Sequence, residues 1–200
     1  MTNHSEEARA AIEPELWLRG PLQDVSPLLM PAAHALLQAS GDIEGAASAL
    51  PAEEVWRRPG GTPSVGFHLR HVAGSIDRLL TYARGEQLDE EQFRALAAES
   101  SPGEPVEEAV TLVRAATTRI EDALRVLRST PDESLSEPRE VGRRKLPSTV
   151  FGLLFHIAEH TQRHAGQVVT TARVVRGFDS RGESSGGEAT GMMKKRIVAD

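Results

Sequence analysis

Apolar residues recur three and four positions apart along four long stretches of this chain, the spacing of a single buried face on an α-helix. The first runs from Ser26, a candidate N-cap followed by Pro27, to about Leu50 through Leu28, Leu29, Ala32, Leu36, Leu37 and Ile43. Pro31 lies early enough to bend this helix rather than break it. The second, from Ser64 to Ala83, puts Val65, Val72, Ile76, Leu79 and Ala83 on one face; Thr62 or Ser64 caps it and Gly85 stops it. The third spans about Pro105 to Arg128 through Val106, Val110, Val113, Thr117, Ile120, Leu124 and Leu127. The fourth is capped by Ser148 or Thr149 and runs to about Arg176, with Gly177 as its stop and Val150, Leu153, Leu154, Ile157, Val168 and Val175 as its stripe.

The intervening segments read as connections. Leu50 to Ser64 turns the chain through a short helix that brings Trp56 to the core and ends at Pro59-Gly60-Gly61. Gln87 to Ser101 holds a short amphipathic helix capped by Asp89, whose Phe93 and Leu96 are expected to pack. Pro131 to Pro147 is too long for a plain helix connection, so it is expected to cross one end of the helices and cover a pocket. With no strand and no repeat predicted, the pattern gives an all-α four-helix bundle with a long crossover connection. Residues 1–20 form a polar lead-in with a short helix around Leu16–Leu18, residues 21–178 the bundle, and residues 179–200 a disordered tail almost without apolar content until Met192 to Val198.

Composition narrows the chemistry. Hydrophobic residues at 39% of the chain suffice for one core, and no apolar run is long enough to span a bilayer. The start lacks the basic-then-apolar order of a signal peptide, so a cytoplasmic location is expected and a membrane is not a partner. A net charge of −6 with scattered arginines argues against nucleic acid. The absence of cysteine removes disulfides, thiolate nucleophiles and thiolate ligands together, leaving imidazole and carboxylate to hold any metal.

Three of the seven histidines, His156, His160 and His164, stand one helical turn apart in the fourth helix. His164 falls near the centre of the apolar stripe, His160 toward its edge and His156 further out. Imidazoles in an apolar stripe need partners: hydrogen bonds to a facing helix, or one shared metal ion, for which His-x-x-x-His on a helix is well suited. His68 and His71 flank the apolar face of the second helix, and one of them is the natural third ligand. His34 is expected half-exposed on the first helix. Glu107, Glu108, Glu121 and Asp122 of the third are expected on its solvated face.

Two segments, PSVGFHLRHVAGSIDRLLTYARGEQL in the second helix and HIAEHTQRHAGQVVTTARVVRG in the fourth, resemble the DinB/YfiT-like superfamily of metal-dependent four-helix bundles, a similarity covering most of residues 22–178. The resemblance implies a three-histidine site for a divalent transition metal, zinc or nickel. By the family's spacing of seven from a serine at the helix start, Ser64 makes His71 the second-helix ligand, and His160 and His164 match the fourth-helix pair. Gln167 with Gly166 matches the ending often found there, and His68, His156 and Gln167 are then neighbours of the metal or of the pocket. The resemblance also implies a small-molecule substrate and reactions of hydrolase or thiol-transferase type, the latter with a low-molecular-weight thiol as cosubstrate; a non-catalytic stress or ligand-binding bundle is the alternative. No carboxylate is marked as general base, so catalytic residues stay unnamed, and a second copy of the chain is a candidate partner.

Overall fold

The computed structural model describes residues 14–185. It contains six α-helices, α1 Met30–Ala47, α2 Ala52–Val55, α3 Val65–Ala83, α4 Glu90–Ala98, α5 Ala109–Ser129 and α6 Val150–Ser185, and an antiparallel pair of strands, β1 Pro138–Val141 and β2 Leu146–Thr149. A 3-10 turn at Leu16–Leu18 precedes them, where a short helix is expected. No described helix is long and apolar enough to cross a membrane.

Helix starts follow local chemistry. The Ser64 hydroxyl accepts from the Phe67 amide and opens α3. Asp89 and Gln92 close a reciprocal capping box on α4. Of the two candidate caps for α6 it is Thr149, whose Oγ1 accepts from the Gly152 amide at 3.0 Å. Two starts fall later than expected. Ser26 closes a turn on the Leu28 amide, and α1 begins only at Met30, where the amide that Pro31 lacks is not needed. Glu107 bonds through its amide to the Pro102 carbonyl and through its carboxylate to Arg70, which keeps it out of α5 and leaves Val106 exposed.

Gly177 does not stop the last helix. It keeps a negative φ inside α6, because a helical glycine only weakens a helix when no left-handed turn follows. Helical backbone therefore continues through residues 179–185, the start of the expected tail. The rest of that tail, Met192 to Val198 included, and residues 1–13 of the lead-in lie outside the described residues.

The four long helices bury Leu36, Ile43, Leu69, Ile76, Leu112, Ile120, Leu127, Leu154 and Ile157 between them. Each packs on two neighbours, in the cyclic order α1, α6, α3, α5. Cross-helix pairs fix the directions. Gln162 and Arg176 of α6 donate to the carbonyls of Ala35 and Ala46, so α1 and α6 run parallel. His71 faces His160 while Leu80 shares a cavity with Leu154, so α3 and α6 run antiparallel. Arg70 pairs with Glu107 near the start of both α3 and α5, and Ala83 lies by Ser129 near their ends, so these two are parallel. Parallel neighbours need a connection that returns the full length of a helix, and residues 84–108, with α4, supply it.

The Pro131–Pro147 segment is thus not the long return. It ends in the hairpin β1–β2, which the sequence reading missed: its strands carry proline, arginine and glutamate without alternation, and only Gly142, at φ 69°, signals its turn. Arg139 donates through Nε to the Ala83 carbonyl at 2.7 Å and pins the hairpin to the end of α3. The cavity beneath is about 200 Å³, smaller than the roughly 300–1,000 Å³ of small-molecule sites. Its nearest α3 residue, Leu80, is also about 14 Å of helix axis from His71.

Three side-chain expectations are corrected. Phe93 and Leu96 of α4 are exposed at 39% and 41%, since α4 covers α3 with its polar edge through Gln92 rather than docking on the core. Phe93 instead lies under the Arg143 guanidinium of the hairpin turn. His34 is buried, because the segment ahead of α1 folds back and the Gly20 carbonyl accepts from its Nε2 at 3.1 Å.

Truncation separates core from surface. Leu36→Ala should cost about 2–5 kcal/mol, whereas Leu96→Ala should stay within about 0.5 kcal/mol. Chemical denaturation measures both; a large loss at Leu96 would mean that α4 is covered in solution.

Candidate metal centre

The site lies on the seam between α3 and α6. A step of three on α3 and a step of four on α6 each keep two histidines on one face, so the antiparallel packing sets His71 against His160 and His68 against His164. His71 Nε2 and His160 Nε2 are 2.9 Å apart, and His68 Nδ1 and His164 Nδ1 are 3.1 Å apart. Ring centroids of His71, His160 and His164 stand 4.5 to 5.1 Å from one another. One ring nitrogen from each of these three falls within 4.8 Å of the others.

The remaining nitrogens identify which atoms are free for an ion. His71 Nδ1 is 2.7 Å from Glu99 Oε2. A carboxylate at that distance takes the Nδ1 proton, so His71 offers Nε2. His164 has Nδ1 against His68, which likewise leaves Nε2. Nε2 of His160 already points at His71. Three tetrahedral nitrogens about 2.1 Å from a zinc ion stand about 3.4 Å apart, a spacing that small ring rotations reach from the present one. The donor set is three imidazoles without a charged ligand, and it fits a divalent transition metal.

Electrostatics favour the neutral form of His160 and His164, and of His68 behind them. Burial, followed by the charge His71 carries when protonated, lowers His68 and His160 to about 4. His164 is lowered to about 3 by burial and then by His71, His160 and His68. Neutral imidazole is the form that ligates. Burial pushes the Glu99 carboxyl up, but the hydrogen bond from His71 and the Arg78 guanidinium outweigh it and hold Glu99 below its ordinary value, as an anion.

The other expected neighbours part company with this group. His68 is 3% exposed and sets its Nδ1 3.1 Å from that of His164. His156 sits one turn before His160 with ring centroids 5.3 Å apart, but it is half exposed and bonds to Glu159 at 2.6 Å. Gln167 is exposed on α6. Sequence reasoning missed Glu99 altogether. It is one of many glutamates in a polar stretch, and only the tertiary fold turns it inward. A cleft of about 1260 Å³ between α3, α4 and α5 reaches the site at Glu99 and is lined there by Arg70, Gly74 and Glu107 as well.

A family model described as the DinB superfamily matches residues 35–168, more than half of the chain. No curated protein matches the chain significantly.

Metal-free protein should lose stability in acid. The folded state holds His68, His160 and His164 to about 3 or 4, while the unfolded chain protonates near 6.5. The unfolded state therefore takes up protons first, and stability present above about pH 6.5 falls progressively as pH drops toward 4. Denaturation midpoints of chelated protein between pH 8 and pH 4 test this, and a flat profile across that window would refute it.

Proposed function

The chain belongs to the DinB superfamily, and from the convergence of three imidazoles we propose that it is a metal-dependent enzyme built on a four-helix bundle with a long crossover. His71, His160 and His164 would hold one zinc or nickel ion through Nε2, and the single observation that carries this reading is that one ring nitrogen from each lies within 4.8 Å of the others. Three protein ligands leave a coordination position for water or substrate, which sets a catalytic site apart from a closed structural one. A bound divalent ion supplies Lewis acidity that brings water toward a neutral pKa or holds a thiol as thiolate.

The chain's own residues limit the reaction. Without cysteine it provides no nucleophilic thiol, so transfer chemistry needs a low-molecular-weight thiol as cosubstrate, and hydrolysis needs only water. Burial of His68 behind His164 keeps solvent from that side of the site. Its Nδ1, neutral, accepts from His164 and fixes that ring while Nε2 is engaged. The substrate would be a small molecule met in the cytoplasm.

One observation favours a second, non-catalytic reading. The imidazole pairs at 2.9 and 3.1 Å join α3 to α6 directly, as a polar tie between helices would. The two readings differ in what metal removal does, because in a structural site most of the binding energy is folding energy. The apolar core around this site extends over all four long helices, so the chelated protein should stay helical by circular dichroism.

One divalent ion per chain is expected by elemental analysis after exposure to zinc or nickel. At a hundredfold excess over Kd it should add about 2.7 kcal/mol of stability. His164→Ala should abolish the metal-induced rise in Tm, and His68→Ala should retain most of it. Folded protein that takes up no metal would end the metal reading, and unfolding on chelation would turn the site into a structural one.

A further inference from the structure

We propose that Glu99 is the positioning residue of this centre, and that the segment after α4 is held on α3 so that its carboxylate fixes the His71 ring with Nε2 toward the ion. This rests on the metal reading above and assigns it a residue outside the ligand set. Glu99 follows the last turn of α4 and is only 5% exposed. A buried carboxylate is costly unless both oxygens are engaged. Here Oε2 lies 2.7 Å from His71 Nδ1 and Oε1 lies 2.8 Å from Arg78 Nη1.

The surroundings are arranged for that placement. Arg70, next to His71 on α3, donates to the carbonyl oxygens of Ala98 and Ser101, on either side of Glu99, and bridges to Glu107. Its guanidinium also lies over the Trp56 ring at 4.9 Å. One arginine thus clamps both flanks of the segment that delivers the carboxylate. Gly74 completes the arrangement: a Cβ there would come within 2.8 Å of Glu99 Oε1 and 2.7 Å of Arg78 Nη1. Any side chain at this helical position would displace the ion pair that holds Glu99.

The consequence is a chosen tautomer. Neutral histidine in water prefers the proton on Nε2, which would block the nitrogen facing His160. A carboxylate on Nδ1 reverses that preference, leaves the Nε2 lone pair free and makes it a stronger donor.

Two readouts on metal-free and zinc-titrated protein test the assignment. Long-range nitrogen–proton correlation spectra should show His71 in the Nδ1–H form in the wild type and no longer so in Glu99→Ala. Zinc affinity, measured by competition with a chelator, should fall about 10–100-fold in Glu99→Ala. It should fall less in Glu99→Gln, whose amide oxygen still accepts from Nδ1. Gly74→Ala covers the case in which Glu99→Ala fails to fold, because it keeps Glu99, favours helix and displaces the carboxylate. It should lose zinc affinity while its helical content holds. Wild-type affinity and an unchanged His71 tautomer in the folded variants would overturn the positioning role and leave the metal reading standing. A wild type that binds no zinc would overturn both.

Discussion

Everything at this site depends on the cost of taking imidazoles out of water. Four histidines meet on the α3–α6 seam, His68 buried and the other three half-buried, and burial disfavours the charged form of His68, His160 and His164, so ring nitrogens withdrawn from water need partners. Neutrality and pairing are also what a metal asks of imidazole. The interior that makes these rings poor bases in the folded state makes them ready donors.

The chain meets that constraint with layers. His71, His160 and His164 turn one nitrogen each toward a common point. Behind two of them stand acceptors of different character, an anionic carboxylate for His71 and a neutral imidazole for His164. The carboxylate tolerates burial because Arg78 faces its other oxygen. The carboxylate of this second layer comes from the long return between the parallel helices α3 and α5, and His68 and Arg78 come from α3 itself. That connection is therefore part of the site, whereas the hairpin between α5 and α6 sits at the far end of α3 and braces the fold there.

Exposure divides the helices by task. α1, α3, α5 and α6 close the apolar core, and α4 rides outside it on a polar edge, with Phe93 and Leu96 turned outward. A helix freed from core packing can be placed by a few directed contacts instead, and Arg70, Gln92 and Glu99 provide them.

The sequence alone determined the four long helices, because a three-and-four apolar spacing has only one buried-face solution, and it pointed to the candidate ligands, because steps of three and four put His68 with His71, and His160 with His164, on one face of each helix. Their family resemblance singled out His71. What it left undetermined were contacts between residues distant along the chain. Glu99 is separated from His71 by a glycine stop and a second helix, and no local pattern distinguishes it from Glu90 or Glu91. His34 reads as a surface residue until the segment before α1 folds back over it. The hairpin strands lack an apolar–polar alternation in sequence and carry only Val141 and Thr149 as β-branched residues, so local pattern does not mark them; Arg139 reaching α3 and Thr149 capping α6 hold the hairpin in place. Local periodicity fixes which face of a helix is buried; which polar group arrives at that face is decided by the return path of the chain, and the return path exists only in three dimensions.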